Sequence, residues 1–431
     1  MSKKTHAAQR GTARTNRPER RQVEMRMLSL DQWLSADHRA RTVWAYVESL
    51  DLSELYDEIR SVAGQPGRNS VDPRIPFALW LLATLEGIAS SRRLADLTER
   101  DVAYMWICGG VSVNHNLLSQ FRVEHGELLE RLLIDSIAVL MHKNLVTLDE
   151  VTQDGMKVRA NAGSSSFRRE PTLEDLLDQA RSHVEGLGQD DSGQLSARQQ
   201  AAQKRAAKDK QQRVEQAIDE IEKIKSQREQ SRSKSKSEPR ASTTDPEART
   251  MKMGDNGFRP AFNVQISNDS QSNMVIGVEV TNQGTDSGLM KPMHDKIKED
   301  YEATPSKYYV DGRFIKNDDV TDLAKSGTAV YGPVYQEQKQ LDAGKDPYAR
   351  KRDDSDQMAE FRQRMGTSAA KEEYKKRSLA EFPHADCRNR GLHQFSVRGL
   401  IKAKAQVLWH VLAFNFLRMN NLGYLEAVME G

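Results

Sequence analysis

The stretch "SKYYVDGRFIKNDDVTDLAKSGTAVYGPV" (306–334) decides the predicted fold class, because its periodicity changes twice. Residues 306–315 and 327–334 are short β-branched and aromatic runs bounded by Ser, Asp and Gly, which is typical of strands. Residues 318–326 between them follow a helical pattern. Strand, helix and strand in succession predict part of a mixed α/β sheet.

Three more strand-like segments precede this stretch, each short, β-branched and bounded by Asn, Asp or Ser. They are "EVTQDGMKVRAN" (150–161), "FRPAFNVQISND" (258–269) and "NMVIGVEVTN" (273–282). A helical pattern at 287–300 separates them from the stretch at 306–334. We therefore predict one α/β domain over residues 146–420.

Two polar stretches interrupt this domain. Within 168–240, two segments carry apolar side chains at helical spacing, which predicts an antiparallel helical hairpin inserted in the sheet. The hairpin is either a solvated spacer or a contact for DNA or a second subunit. Residues 335–370 form a second polar excursion, and "GLIKAKAQVLWHVLAFNFLRM" (399–419) then predicts a closing helix packed on the sheet.

The first third of the chain lacks strand patterns. Residues 1–24 are basic and poor in apolar side chains, which predicts a disordered arm that either aids solubility or follows a nucleic-acid backbone. Residues 25–145 have helical spacing throughout, so we predict an all-α N-terminal domain. Residues 116–143 are predicted to form one helix of it.

Part of this domain has the order of a helix-turn-helix motif. Predicted helices at 91–99 and 101–107 are followed by a turn and by a helix that carries Ser119, Gln120 and Arg122. Such a motif would present the last helix to DNA. A plain helical bundle explains the pattern equally well, because the turn is long for the motif.

Composition restricts the class of protein. The 431 residues carry a formal net charge of +2, and both cysteines, Cys108 and Cys387, lack a C-x-x-C partner, which argues against a disulfide framework and a structural zinc site. The apolar run at 75–89 is interrupted by Glu86 and is too short to cross a bilayer. With no secretory signal pattern either, we expect a cytoplasmic protein.

The sequence lacks the motifs of several enzyme classes, including the P-loop, the dinucleotide fingerprint, the zincin motif and the nucleophile elbow. What remains is a set of carboxylates. Asp154 and Asp311 each follow strand-like residues and precede glycine, where we expect each strand to stop. With Glu381 from a helix they would form an oxygen-ligand site for Mg²⁺ or Mn²⁺, although Asp-Gly after a strand is more often a simple turn.

The segment around Glu381 resembles a known family. Tyr374, Arg377, Glu381 and Arg388 fit the Y-(2)-R-(3)-E-(6)-K signature of bacterial insertion-sequence DDE transposases, with Arg in place of the final Lys. The strings "TQDGMKVRANAG", "YYVDGRF" and "RNRGLHQFSVRGL" are also similar to that family. The resemblance covers roughly residues 25–420.

The resemblance implies a fold and an activity. The fold would be ribonuclease-H-like, and Asp154, Asp311 and Glu381 would be catalytic and hold two Mg²⁺ ions, with Mn²⁺ able to replace them. The protein would bind the terminal inverted repeats of its element, cut there and transfer the strand to target DNA. Because two ends must be held together, a homodimer is implied.

Basic and aromatic residues near Glu381 would contact DNA. Arg377 lies one helical turn before Glu381 and should share its face. Guanidinium groups can hold phosphate oxygens in bidentate geometry, and an aromatic ring can stack on a displaced base. The residues predicted to bind DNA are Tyr374, Arg377, Arg388, Arg390, Arg398 and Lys402. An ordinary ladder of helical ion pairs is the alternative.

Pro383 departs from an ordinary helix pattern. Proline lacks the amide for an interior helical hydrogen bond, so we predict that it kinks or restarts the helix two residues after Glu381. A kink that turned Glu381 away would leave an inactive copy. The alternatives to a transposase are therefore a metal-dependent nuclease without strand transfer and a catalytically inactive DNA-binding protein.

Overall fold

The computed structural model describes residue 21 and the ranges 27–62, 68–189, 196–230 and 237–430. The predicted basic arm at 1–24 lies outside the described residues, apart from Arg21.

The described α-helices are α1 (Leu30–Trp33), α2 (Arg39–Ser49), α3 (Ser53–Asp57), α4 (Arg74–Leu85), α5 (Ser91–Arg100), α6 (Val102–Cys108), α7 (His115–Glu124), α8 (Gly126–His142), α9 (Glu170–Gln189), α10 (Ala197–Gln230), α11 (Met290–Tyr301), α12 (Asn317–Lys325), α13 (Glu337–Asp342), α14 (Asp356–Met365), α15 (Ser368–Glu373), α16 (Glu381–Asn389), α17 (Leu400–Leu422) and α18 (Leu425–Met429). Short 3₁₀ helices span Ser164–Ser166 and Tyr374–Ala380. The strands are β1 (Glu150–Arg159), β2 (Phe167–Arg168), β3 (Ala241–Ser242), β4 (Arg249–Lys252), β5 (Phe258–Asp269), β6 (Val275–Thr281), β7 (Lys307–Val310) and β8 (Ala329–Tyr331).

The main sheet is mixed, as the alternation of periods predicted. Its order is β4-β5-β1-β7-β8, and β6 also pairs with β5. Strands β1, β5 and β6 pair antiparallel, whereas β7 and β8 run parallel to β1 and are reached through helices α11 and α12. Parallel neighbours require such helical crossovers. The arrangement is that of a ribonuclease-H-like domain preceded by helices.

Helices α9 and α10 lie between β1 and β5 and pack antiparallel. Glu170 contacts Lys225 at 2.5 Å and Arg181 contacts Glu215 at 3.4 Å, so the start of α9 lies beside the end of α10. A buried ion pair between Glu220 of α10 and Arg249 of β4 joins this hairpin to the sheet. The hairpin has its own small core, formed by Leu173, Val214, Ala217, Ile221 and Ala241.

The stretch at 335–370, predicted as a polar excursion, is largely helical and partly buried. It forms α13 and α14, and α14 packs on α12. The prediction missed this because Met358, Phe361 and Met365, which are buried at helical spacing, are isolated among charged residues. Asp354 and Arg362 also lie inside, paired at 2.7 Å.

The single helix predicted over 116–143 is wrong, because the structure has two helices there. The break lies at His125, whose backbone leaves the helical region at φ −107° and ψ 39°. Gly126 begins α8, and glycine has little preference for a helix interior. A methyl group at Gly126 would lie 3.5 Å from Ala405 of α17, so α8 starts close against that helix.

Helix α17 packs on the sheet, as predicted, and also against α4, α7 and α8. It is buried on nearly all sides, and one continuous apolar core therefore runs from the N-terminal helices to the sheet. Two polar side chains fix its position. Trp409 donates its indole N–H to the carbonyl of Arg122 at 3.1 Å, and the Asn415 amide bonds both backbone groups of Val275 in β6.

The structure also describes the two cysteines and the apolar content of the helices. Cys108 and Cys387 are both buried free thiols. Among the described residues, every helix is too short or too polar to span a membrane.

Candidate active site

Asp154 lies within the central strand of the sheet, so the prediction that its strand stops there is wrong. Strand β1 continues to Arg159, because Gly155 keeps its place in the antiparallel register opposite Gln265. The glycine is needed for packing: a methyl group there would collide with Asp286 and lie 2.5 Å from the Gln265 amide. The carboxylate of Asp154 accepts the Gly155 N–H at 2.8 Å.

Asp311 stands directly after β7, where the sequence predicted a strand end. The parallel register pairs Gln153 with Val310, so the next residues of the two strands, Asp154 and Asp311, are neighbours. Asp311 accepts the backbone N–H of Arg313 at 3.0 Å, which turns the chain away from the sheet. Strand pairing thus joins two carboxylates that lie far apart in sequence.

Glu381 is the first residue of α16, and the 3₁₀ helix Tyr374–Ala380 ends just before it. Pro383 is therefore in the first turn of α16, where backbone amides have no partner within the helix. The backbone stays helical as it passes from the 3₁₀ helix into α16, and Glu381 contacts the same guanidinium of Arg377 as the two aspartates. His384, next in the chain, is buried, which lowers the pKa of its imidazole to about 3 and leaves the ring neutral.

Arg377 of the 3₁₀ helix contacts all three carboxylates. Its guanidinium lies 2.8 Å from Asp154, 2.9 Å from Glu381 and 3.9 Å from Asp311. The predicted placement of Arg377 beside Glu381 is confirmed by this contact. Exposure rises across the site, since the Asp154 side chain is 21% exposed, that of Asp311 44% and that of Glu381 65%.

Burial and the neighbouring arginine act in opposite directions on the pKa of Asp154. Burial raises the pKa of its carboxyl, and the nearby charges of Asp311 and Asp286 raise it further, while Arg377 opposes them. Burial tends to lower the pKa of Arg377, but the Asp154, Asp311 and Glu381 carboxylates raise it overall. The Arg377 guanidinium therefore opposes the effect of burial on Asp154, and the three carboxylates stabilise its own charge.

A second ionic cluster holds the 3₁₀ helix against the sheet. Glu373 contacts Lys307 at 2.7 Å and Lys376 at 2.8 Å, and it accepts the Tyr309 hydroxyl at 2.7 Å. These partners lower the pKa of Glu373 to about 2. Both lysines also contact Glu150 of β1. Sequence spacing could have indicated only the Glu373–Lys376 pair, since the others join distant segments.

A buried polar network behind β1 was also missed. Asp286 is 5% exposed and accepts the side-chain N–H groups of Asn263 at 2.8 Å and Gln265 at 3.0 Å. Lys157 lies 3.7 Å from its second oxygen. The one available signal was the spacing of Asn263 and Gln265, which puts two amides on the same face of a strand in the sheet interior.

The other predicted DNA-binding residues are dispersed. Tyr374 is half-buried and packs against the core, and burial raises the pKa of its phenol. Arg388 is exposed on α16. Arg390 is engaged inside the protein, donating to the Leu85 carbonyl and to Asp386.

Arg398 and Lys402 lie elsewhere, beside the start of α17. They line a groove of about 540 Å³ together with the carboxylates of Asp219, Glu220, Asp245 and Glu247. A groove of mixed charge is a weaker site for a DNA phosphate than a purely basic one. Their contact with DNA stays a prediction.

Of the three side chains named on the candidate helix-turn-helix, Arg122 is not on the surface. It is 7% exposed, and its guanidinium lies 4.7 Å from the Trp80 ring centre. Ser119 and Gln120, three and two residues before it, are exposed. The side of α7 that carries Arg122 faces the core because Leu118 and Phe121 anchor that side there.

The three acids fit a divalent ion in their chemistry, since hard cations prefer carboxylate oxygens. As the side chains stand, no group of three His, Cys, Asp or Glu side chains in the described ranges is arranged to hold a metal. Arg377 instead provides the positive charge between them. Asp154, Asp311 and Glu381 would hold an ion only after this guanidinium had moved.

Two known families match the chain. A family described as a transposase domain, DUF772, matches residues 28–124, and one described as a transposase DDE domain matches residues 226–416. The second match includes Asp311 and Glu381 and begins after Asp154. No curated protein and no solved structure matches the chain significantly.

Proposed function

The chain belongs to the insertion-sequence DDE transposases, and we propose on that premise that Asp154, Asp311 and Glu381 are its catalytic acids. The observation that supports the assignment is the meeting of these three carboxylates around Arg377, although they come from a central strand, a strand end and a helix start. We propose that they cut DNA at the terminal inverted repeats of the element and transfer the cut strand to target DNA.

Divalent ions, Mg²⁺ or Mn²⁺, would supply the chemistry of such a site when bound, by activating the attacking oxygen and stabilising the leaving oxygen of the phosphodiester. The protein's own part is to hold the three acids in position. The register of β1 and β7 fixes Asp154 and Asp311, and Pro383 in the first turn of α16 fixes where Glu381 begins its helix.

Arg377 and Arg388 would then bind the DNA strand at the site. A guanidinium that leaves the carboxylates can contact phosphate oxygens through two N–H groups at once. Arg377 has the shorter distance to travel, because it already lies at the centre of the acids. Arg388 is exposed one to two turns further along α16 and is free to reach a neighbouring phosphate.

We also propose the partners. The helical region would contact the terminal repeats, and two copies of the chain would hold two ends together. With a bacterial element as its substrate, the protein would act in the cytoplasm.

The decisive test is cleavage of labelled DNA that carries the element's own ends, in the presence of Mg²⁺. We expect wild-type protein to cut, and Asp154→Ala, Asp311→Ala and Glu381→Ala to bind the same DNA without cutting. Asp318→Ala, an exposed carboxylate on α12, is the matched control and should cut normally. Cutting by any of the three variants at the wild-type rate would refute the assignment of that residue.

A second DNA in the same reaction separates the alternatives. Joining of the cut end to it shows strand transfer. Cutting without joining would instead indicate a nuclease. Binding without cutting would indicate a catalytically inactive DNA-binding protein.

A further inference from the structure

Two helices of the N-terminal region begin at the same groove. Helix α5 starts after Ser90, whose hydroxyl accepts the Arg93 N–H at 3.3 Å. Helix α7 starts after Asn114, whose side chain accepts the N–H groups of Asn116 and Leu117. The first residues of both helices line one groove of about 520 Å³, and Ser396, which precedes α17, lines it as well.

The lining of this groove is suited to an anion. It contains two arginines, a histidine and several hydroxyl groups, and none of its lining residues is an acid. The grooves beside Arg398 and beside Glu127 both contain carboxylates. The residues that matter for the argument are Ser90, Arg92, His115, Ser119, Arg122 and Ser396.

Arg122 places a buried positive charge under the groove. It is 93% buried, as its exposure is 7%, and it donates to the Ala89 carbonyl at 2.6 Å. Its Nε has no hydrogen-bond partner in the described residues. Burial lowers the pKa of Arg122 to about 10, so the side chain is still a cation at neutral pH. A buried cation without a carboxylate partner is costly unless an anion approaches it.

The helix ends add to this charge. Unpaired backbone N–H groups and the helix dipole make a helix N-terminus favourable for anions, and here two of them face one groove. Arg92 is exposed at the rim and makes no ion pair with any described residue, whereas its neighbour Arg93 is paired with Asp96 at 2.9 Å. The two helix N-termini, the two arginines and the absence of acids from the lining therefore favour the same kind of ligand.

We propose that this groove binds a backbone phosphate of DNA and so aligns the helical region on the duplex. The proposal rests on the proposed function, which supplies DNA as the partner. Because phosphates carry no base identity, the contact would position the protein without selecting the sequence. Base recognition would fall to other exposed residues, such as Asn116 and Gln120 of α7.

The test compares full-length variants for DNA affinity and its salt dependence. Arg92→Ala removes the exposed cation, and Ser119→Asp introduces a carboxylate into the groove. Arg100→Ala is the matched control, because Arg100 is an exposed arginine on the same helix but outside the groove. Since all three positions are on the surface, melting temperatures should stay close to wild type.

We expect Arg92→Ala to weaken binding to end DNA and to random DNA equally, by about tenfold. The slope of log K against log salt should also fall by about 1, since one phosphate contact is lost. Ser119→Asp should weaken binding at least as much. Arg100→Ala should keep the wild-type slope.

Three outcomes would overturn the proposal. One is wild-type affinity and slope in both groove variants, and another is an equal loss in Arg100→Ala, which would indicate a general charge effect. The third is a stabilisation of wild type by inorganic phosphate that Arg92→Ala lacks, without any change in DNA binding, which would indicate a site for free phosphate. Wild-type protein that binds DNA but cuts none would refute the proposed function. The salt dependence of DNA binding by the groove variants would still show whether the groove holds a phosphate.

Discussion

Arg377 contacts Asp154 at 2.8 Å although 223 residues separate them in sequence. The same guanidinium reaches Glu381 at 2.9 Å, so a single cation joins the strand acid and the helix acid. A divalent ion at this site would need the same carboxylate oxygens. A divalent ion bound by these acids would therefore compete with Arg377 for one position.

Removal of this arginine should favour metal binding. We expect Arg377→Ala to bind Mn²⁺ about tenfold more tightly than wild type without DNA, because the carboxylates lose their competing cation. Electron paramagnetic resonance titration measures this directly. Cleavage should nevertheless fall, because the variant lacks a group to hold phosphate.

Arg388→Ala serves as the control, since Arg388 is exposed on α16 away from these contacts. Its Mn²⁺ affinity should equal that of wild type. Unchanged or weaker Mn²⁺ binding by Arg377→Ala would show that the arginine does not compete with the metal.

Gly155 should tolerate no side chain. A methyl group there would collide with Asp286 and press on Gln265, both of which are buried. We expect Gly155→Ala to lower the free energy of unfolding by about 2 to 3 kcal/mol, as overpacking does in other cores. Urea denaturation measures the change.

Gly186→Ala is the matched control in α9. Nothing lies within 4 Å of a methyl group at this helical position. Alanine should raise the free energy of unfolding there by roughly 0.5 to 1 kcal/mol, because it favours the helix. Equal stability of Gly155→Ala and wild type would mean that the loop around Asp286 can shift to make room for the methyl group at little cost in free energy.

Pro383 should be compatible with activity. Because it occupies the first turn of α16, its missing amide forfeits no helical hydrogen bond. We expect Pro383→Ala to leave DNA cleavage within about twofold of wild type and to change the free energy of unfolding by less than about 1 kcal/mol. A large gain in cleavage would restore the view that the proline damages the site.

Ala385→Pro tests whether proline is tolerated only in the first turn of α16. Ala385 is exposed but lies beyond the first turn, where an amide is needed. Proline at this position should cost about 3 kcal/mol and abolish cleavage by displacing α16.

Glu373 should give the protein a pH-dependent stability. Its pKa is lowered from 4.5 to about 2 by Lys307, Lys376 and Tyr309, so its contribution is complete above pH 4.5 and is lost as the pH falls toward 2. At pH 7 we expect Glu373→Gln to lose about 1 to 2 kcal/mol, an estimate reduced because the lysines are partly exposed.

Urea denaturation of both proteins between pH 3 and pH 7 measures the effect. The difference in unfolding free energy should narrow as the pH falls below 4.5. A constant difference across this range would show that the glutamate acts through packing and not through its charge.

Local features of this structure were readable from the sequence. The strands around Asp311 and the helices between them were predicted because backbone geometry imposes a period on the side chains of each element. The pairing of Arg377 with Glu381 followed from the same rule, since one helical turn separates them. The sequence predicted a kink or restart of the helix at Pro383, whereas in the structure α16 begins two residues earlier, at Glu381, and the proline lies in its first turn.

What the sequence could not show involves partners far along the chain. Asp154 lies within β1 because Gly155 pairs with Gln265 of β5, so the strand continues past it. Only glycine fits at that position, since a methyl group would collide with Asp286. Arg122 is inside the fold, where its guanidinium lies over the ring of Trp80, 42 positions earlier, and the pKa of Glu373 in α15 is low because Lys307 of the distant strand β7 contacts it. Periodicity is a property of a few neighbouring residues, whereas register, burial and charge pairing arise only when distant segments fold together. The sequence by itself therefore determined most of the strands, the candidate acids and the local pairing of Arg377 with Glu381, and the tertiary structure alone decided which distant residues meet.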